Sequence, residues 1–319
     1  MPFQRLRRAV LVAAFSVAGL LAACGGGQVV SQFSPSRVVV FVDAMADAGQ
    51  AGGARYTVNG TSSSLNWTEV LANNYSLSVA PASAGGTSYA RGSALVATRP
   101  DAAGNAAVPS ISEQIDTFFA GNALGGRDLV IVNAGVGDII AQMASVAAGT
   151  ISAAQAQANV EAAGRALGAQ VRRLANAGGT HVAVAGPYNL GRSPWAIGTG
   201  QTGVLQTLSS RFNEELLISI ADLGDKVLYV DAALYFNLLT ANPSQSNLSN
   251  ATVAACNSVD PGAGIGIGTG HVNSALCTLS TIVSGYDPAT SIFADEVYFT
   301  PQANYLWAQN AFQRLRTRW

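Results

Sequence analysis

Residues 37–50 read Arg37-Val38-Val39-Val40-Phe41-Val42-Asp43-Ala44-Met45-Ala46-Asp47-Ala48-Gly49-Gln50. The β-branched and aromatic run 37–42 predicts a strand buried on both faces, the pattern of a parallel sheet covered by helices. The run breaks at Asp43 into small and polar residues. Further apolar runs recur at Asp128–Asn133, at His181–Ala185 leading into Gly186-Pro187, and at Lys226–Val230, while Ser88–Gly92 reads as the end of another strand. Helical patterns alternate with them. Asn66–Ala72 suits a short helix, Ser152–Ala177 a long Ala-rich one ended by Gly178-Gly179, 203–223 an amphipathic one, and Pro301 starts a last one reaching Arg316. The alternation predicts one α/β domain with a five-stranded parallel sheet. In such sheets ligands sit at the carboxyl ends of the strands, so the segments after each strand are the places to look for chemistry.

The chain has 319 residues, 49% hydrophobic and 11% charged. That suffices for one large core, and the charged fraction is less than half of the usual quarter. A formal net charge of −1 gives no electrostatic reason for a nucleic-acid partner. Arg5, Arg7 and Arg8 followed by the apolar run Ala9–Leu21 predict an exported leader over residues 1–23. Leu21-Ala22-Ala23-Cys24 resembles the box at which lipoprotein leaders are cut before a lipidated Cys, and Gly25 after it implies the outer membrane of a Gram-negative cell. Loss of the three arginines leaves 14 basic against 18 acidic residues, so the acyl chains on Cys24 are expected to supply the anchoring. Residues 24–36 read as a tether and 37–319 as the domain. Cys256 and Cys277 remain as an even pair in an oxidising compartment and predict a disulfide within a Ser-, Asn- and Gly-rich insert at 241–291. Closing that loop contributes roughly 3 kcal/mol in the chain-entropy model.

Four blocks in order resemble the SGNH/GDSL ester hydrolases. Phe41, Asp43, Asp47 and Gly49 match the block F-G-D-S-L-S-D-x-G-N, with Ala44 at the nucleophilic Ser. Tyr89, Ala90, Gly92 and Ala94 match N-Y-A-x-G-G-A, where the resemblance implies a backbone N–H donor to the oxyanion hole, from Gly92 or Ser93. Gly135 and Asp138 match W-x-G-x-N-D, with Gly137 at the Asn whose amide is a second donor. Phe293, Asp295 and Thr300 match F-x-D-x-x-H-P-T, with Tyr298 at the His. Asn59-Gly60 with Asn66-Trp67, Gly186-Pro187, Phe212-Asn213 and Asn242-Pro243 with Cys256 resemble one bacterial branch. The resemblance spans about 37–316 and implies a three-layer α/β/α sandwich of flavodoxin-like topology.

The chemistry departs from the family. Hydrolysis needs a hydroxyl nucleophile, a base and oxyanion donors together. Ala44 has no lone pair. A phenol at position 298, with an ordinary pKa near 10, is a poor base. Loss of the amide at Gly137 costs roughly 100- to 1,000-fold in turnover. The expected protein is therefore a pseudoenzyme that binds an acyl-, ester- or sugar-bearing ligand or a protein partner, with Tyr298 and Trp67 as candidate lining. Two alternatives stand beside it. One is a working esterase that uses Ser93 or His271 as substitutes, with the insert folded over the cleft. The other is a structural envelope protein with no ligand. Asp43 and Asp138 stand as candidate binding residues that would form a carboxylate pair, with loop bracing as the expected role; the resemblance implies that Asp295, retained here, would orient the lost His. His181, at a strand start, is expected at the opposite end of the sheet. No zinc signature, phosphate-binding Gly loop or dinucleotide fingerprint occurs, so no cofactor is expected.

Overall fold

The computed structural model describes residues 33–319. The expected leader, Cys24 and most of the tether lie outside the described residues. Four strands, β1 (Arg37–Val42), β2 (Asp128–Asn133), β3 (Val182–Ala185) and β4 (Val227–Tyr229), form one parallel sheet in the order β1-β2-β3-β4. Register pairs run Arg37 with Asp128, Val130 with Val182, and Val182 with Val227. All six residues of β2 are buried, as an apolar run in an all-parallel sheet requires. The first register pair is also an ion pair, with Arg37 Nε donating to Asp128 at 3.0 Å.

Among the described residues eight helices connect and follow the strands: α1 (Trp67–Asn74), α2 (Ile111–Phe119), α3 (Val136–Ala147), α4 (Ala153–Asn176), α5 (Pro194–Gly198), α6 (Thr202–Ile220), α7 (Ala232–Ala241) and α8 (Pro301–Arg318). α4 packs along α6 and touches α2 and α3, while α1 packs on α8. Their starts follow local chemistry. Asn66 with Glu69 and Ser110 with Glu113 form capping boxes on α1 and α2. Thr300 accepts from the Ala303 N–H ahead of Pro301 on α8. The sequence pattern passes over α2, α3, α5 and α7, which fall between its apolar runs.

The expected fifth strand is corrected. Ser88 makes only isolated parallel bridges, to Pro81 and to Val40 on the edge of β1 away from β2. The Thr87 carbonyl accepts from Val40, and Tyr89 and Arg91 donate to Val40 and Val42. The chain turns sharply on both sides of this short contact. Before it lie the 3₁₀ turn Ala82–Ala84 and Gly85 at φ +80°. After it Ser93 takes φ +58°. The contact is too short to count as a strand, so the sheet has four.

The insert is largely irregular, with 3₁₀ turns at Ser274–Leu276 and Leu279–Thr281. It is stapled by the Cys256–Cys277 disulfide. Asn59 ties the insert to the body: its N–H donates to the Cys277 carbonyl and its side chain to that of Ser274. At the other end of the sheet His181 precedes β3, stacked on Phe33 at 3.6 Å and edge-on to Trp319. This is the end opposite the segments that follow the strands.

Candidate functional site

The segments following β1 and β2 meet the 92–94 turn and the 293–299 hairpin at the carboxyl ends of the strands. Asp43 leaves β1 and caps the 3₁₀ turn Ala44–Ala46, its Oδ1 accepting from the Met45 N–H at 3.0 Å. Its Oδ2 has no partner of hydrogen-bonding geometry. Burial pushes this carboxyl up to about 7; the Asp138 charge adds to the rise and the amides of Met45, Gly137 and Val136 oppose it. Asp138, on the first turn of α3, accepts from the Val96 N–H at 3.2 Å and is pushed up to about 7 by burial. Both carboxyls thus brace loops.

α3 begins at Gly135, whose φ of +118° and whose contacts leave no room for a side chain: an added Cβ would stand 2.8 Å from the Pro187 ring and 2.9 Å from Phe212. Gly137, two residues on, is more tightly held. A Cβ there would lie 2.5 Å from the Ala94 carbonyl oxygen and 3.0 Å from that of Ser93. The 93–94 backbone has settled on the helix where an Asn side chain would start. A glycine here is therefore a packing requirement as well as a lost donor.

Asp47 belongs to the first block but carried no assigned role in the sequence. Its Oδ1 accepts from the N–H groups of Gly49 and Gln50, and its Oδ2 accepts from Gly92 N–H at 2.8 Å. This corrects the expectation for Gly92: its N–H is already satisfied within the protein and does not point to an oxyanion. Tyr56, also unassigned in the sequence, lies directly over Gly92, with its hydroxyl 2.1 Å from the place of an added Cβ. Its ring meets Tyr298 edge-on at 5.3 Å. Flanking bonds fix Tyr56 in place: Arg55 pairs with Glu69 on α1, and Thr57 donates to the Phe299 carbonyl at 2.8 Å.

Tyr298 is 1% exposed and its hydroxyl has no hydrogen-bond partner. Burial holds this phenol well above its ordinary value, and the charges of Asp43 and Asp295 raise it further. It cannot act as a base near neutrality. Asp295 accepts three backbone N–H groups, from Ser274, Val297 and Tyr298. It ties the insert to the hairpin, and burial still pushes it up to about 6. Trp67 is core, packed against Trp307.

The substitute residues do not come together. Ser93 is buried, at positive φ, with the Tyr56 hydroxyl beside its Oγ and no imidazole near it. His271 Nδ1 faces Glu296 at 2.9 Å, and Glu296 also accepts from the Val272 N–H. Among the described residues no serine or threonine hydroxyl at the strand ends pairs with an imidazole; the one such contact, Thr180 with His181, lies at the far end. The insert does cover the region: Ile265 is buried, and Gly266 lies so close to Ala102 and Ile140 that an added Cβ would stand 2.5 Å from the Ala102 carbonyl oxygen. No group of metal-ligating side chains occurs among the described residues, and no helix among them is long and apolar enough to cross a membrane.

The class that these observations define is an α/β protein with an all-parallel sheet, with Met45 and Tyr298 buried and Tyr56 half-buried at its strand ends. No family model matches the chain. It is similar, at 26% identity over 337 residues, to an uncharacterized protein in the trpE-trpG intergenic region of Pseudomonas putida, across 98% of this chain and 54% of that protein. The chain thus spans about half the length of the curated relative it matches.

Proposed function

We propose that the chain is an exported lipoprotein whose domain is an SGNH/GDSL-like three-layer sandwich without hydrolytic activity, acting in the cell envelope by binding rather than turnover. The observation that carries this reading is the meeting of the four blocks at the strand ends, with a methyl group, a glycine and a buried phenol at positions 44, 137 and 298. The edge segment 87–91 beside β1 supports it too. Counted as a strand it gives the order 2-1-3-4-5, the flavodoxin-like order, whose crevice falls between the ends of β1 and β2. The ligand class is an acyl-, ester- or sugar-bearing molecule or a protein partner, and Cys24 carries the lipid anchor in the outer membrane. The burial of Tyr298 and Met45 favours a second reading, a structural envelope protein without a ligand.

A fluorophosphonate probe tests the loss of chemistry, because it esterifies only a hydroxyl activated by a neighbouring base. The natural chain is expected to stay unlabelled. Label on the natural chain overturns the reading.

A further inference from the structure

Away from the strand ends, a groove of about 580 Å³ opens between α1, the start of α8 and the insert. That is an ordinary size for a small-molecule site. Its walls are Val58, Leu65, Val70, Leu279, Pro288 and Tyr305. Leu279 and Tyr305 stand 61% and 48% exposed at its rim, an uncovered apolar surface of the kind that marks a binding site. Hydroxyl and amide groups of Thr61, Ser63, Asn73 and Gln302 are also in the lining. The Asn74 amide nitrogen there is buried without a partner. Asp287 is the one charged residue of the lining, and no cation faces the groove.

We propose that this groove binds the alkyl or acyl chain of an uncharged amphiphile, with a glycerol- or sugar-like head. The apolar walls suit a chain, and the hydroxyls and amides suit a neutral polar head. A single carboxylate with no compensating cation disfavours phosphate, sulfate or fatty-acid carboxylate. The groove shares no residue with the strand-end set, so this inference and the reading of that set fail independently.

The test uses the full mature chain and the neutral dye N-phenylnaphthylamine, whose emission rises on entering an apolar site. Monolauroylglycerol is expected to displace the dye at concentrations about tenfold below those needed with laurate. Leu279→Asp/Tyr305→Asp, at two exposed positions, is expected to weaken dye binding about tenfold or more. Leu238→Asp, on the exposed face of α7, is expected to leave it within about twofold. Unchanged dye binding in the double variant overturns the proposal, as does equal displacement by laurate. Light scattering separates a different occupant: a dimer of the natural chain that becomes a monomer in the double variant assigns the groove to a second copy and also overturns it.

Discussion

The strand ends and the groove beside α1 and α8 are built in opposite ways. At the strand ends, backbone donors are consumed by the protein itself, while Asp43 Oδ2 and the Tyr298 hydroxyl are buried without partners. Asp47 takes the Gly92 N–H, Asp295 takes three N–H groups, and the Ala94 carbonyl presses on Gly137. In the groove, apolar side chains such as Leu279 and Tyr305 stand exposed with no chain packed over them among the described residues. A catalytic cleft keeps donors free and a hydroxyl reachable. Here the strand ends are filled by buried side chains, and the exposed apolar surface lies elsewhere.

The largest effect expected from breaking this contrast is at Gly137. Gly137→Asn forces a side chain against the fixed carbonyls of Ala94 and Ser93, and overpacking against backbone costs on the order of 3 kcal/mol. Urea unfolding should show that loss, while Leu279→Asp in the groove should stay within about 0.5 kcal/mol of the natural chain. Equal stability of the two variants would show that the strand ends are looser than described.

A smaller effect per residue concerns pH. Asp43 and Asp138, held up to about 7, and Asp295, held up to about 6, keep a proton in the folded chain that the unfolded chain releases near 3.8. Their contribution to stability is complete below about 3.8 and is lost as pH rises through about 6 and 7. Each carboxyl held to about 7 is expected to lower the unfolding free energy by roughly 2 kcal/mol between pH 5 and 7.5, since a tenfold difference in proton affinity is worth about 1.4 kcal/mol. Asp43→Asn, which keeps an oxygen for the Met45 N–H, should flatten the slope. A slope of the opposite sign would contradict the buried, protonated description of these carboxyls.

Much of the scaffold was legible in the sequence because burial on both faces of a parallel strand leaves uninterrupted apolar runs. β1 and β2 begin and end where the runs do, and β3 and β4 within a residue of them. The disulfide followed from parity and compartment. The edge contact at Ser88 was over-read as a strand, since Tyr89-Ala90 cannot reveal the turn imposed by Ser93 at positive φ. Four helices were passed over, although α2 carries apolar residues at helical spacing at Ile111, Ile115 and Phe118, and α3 at Val136, Ile139, Ile140 and Met143; α5 is only five residues long. At the strand ends, Ala44, Gly137 and Tyr298 were found through the blocks. Tyr56 was not, because its role depends on lying over Gly92, 36 positions away in the chain. The groove was invisible for the same reason: its walls come from four separate segments, none apolar enough alone to signal a site.

The most direct test of the central claim is turnover of p-nitrophenyl butyrate by the natural chain, measured beside Ser93→Ala and His271→Ala. The account predicts no hydrolysis above a heat-treated control in any of the three. Turnover by the natural chain that disappears in Ser93→Ala or His271→Ala would contradict it.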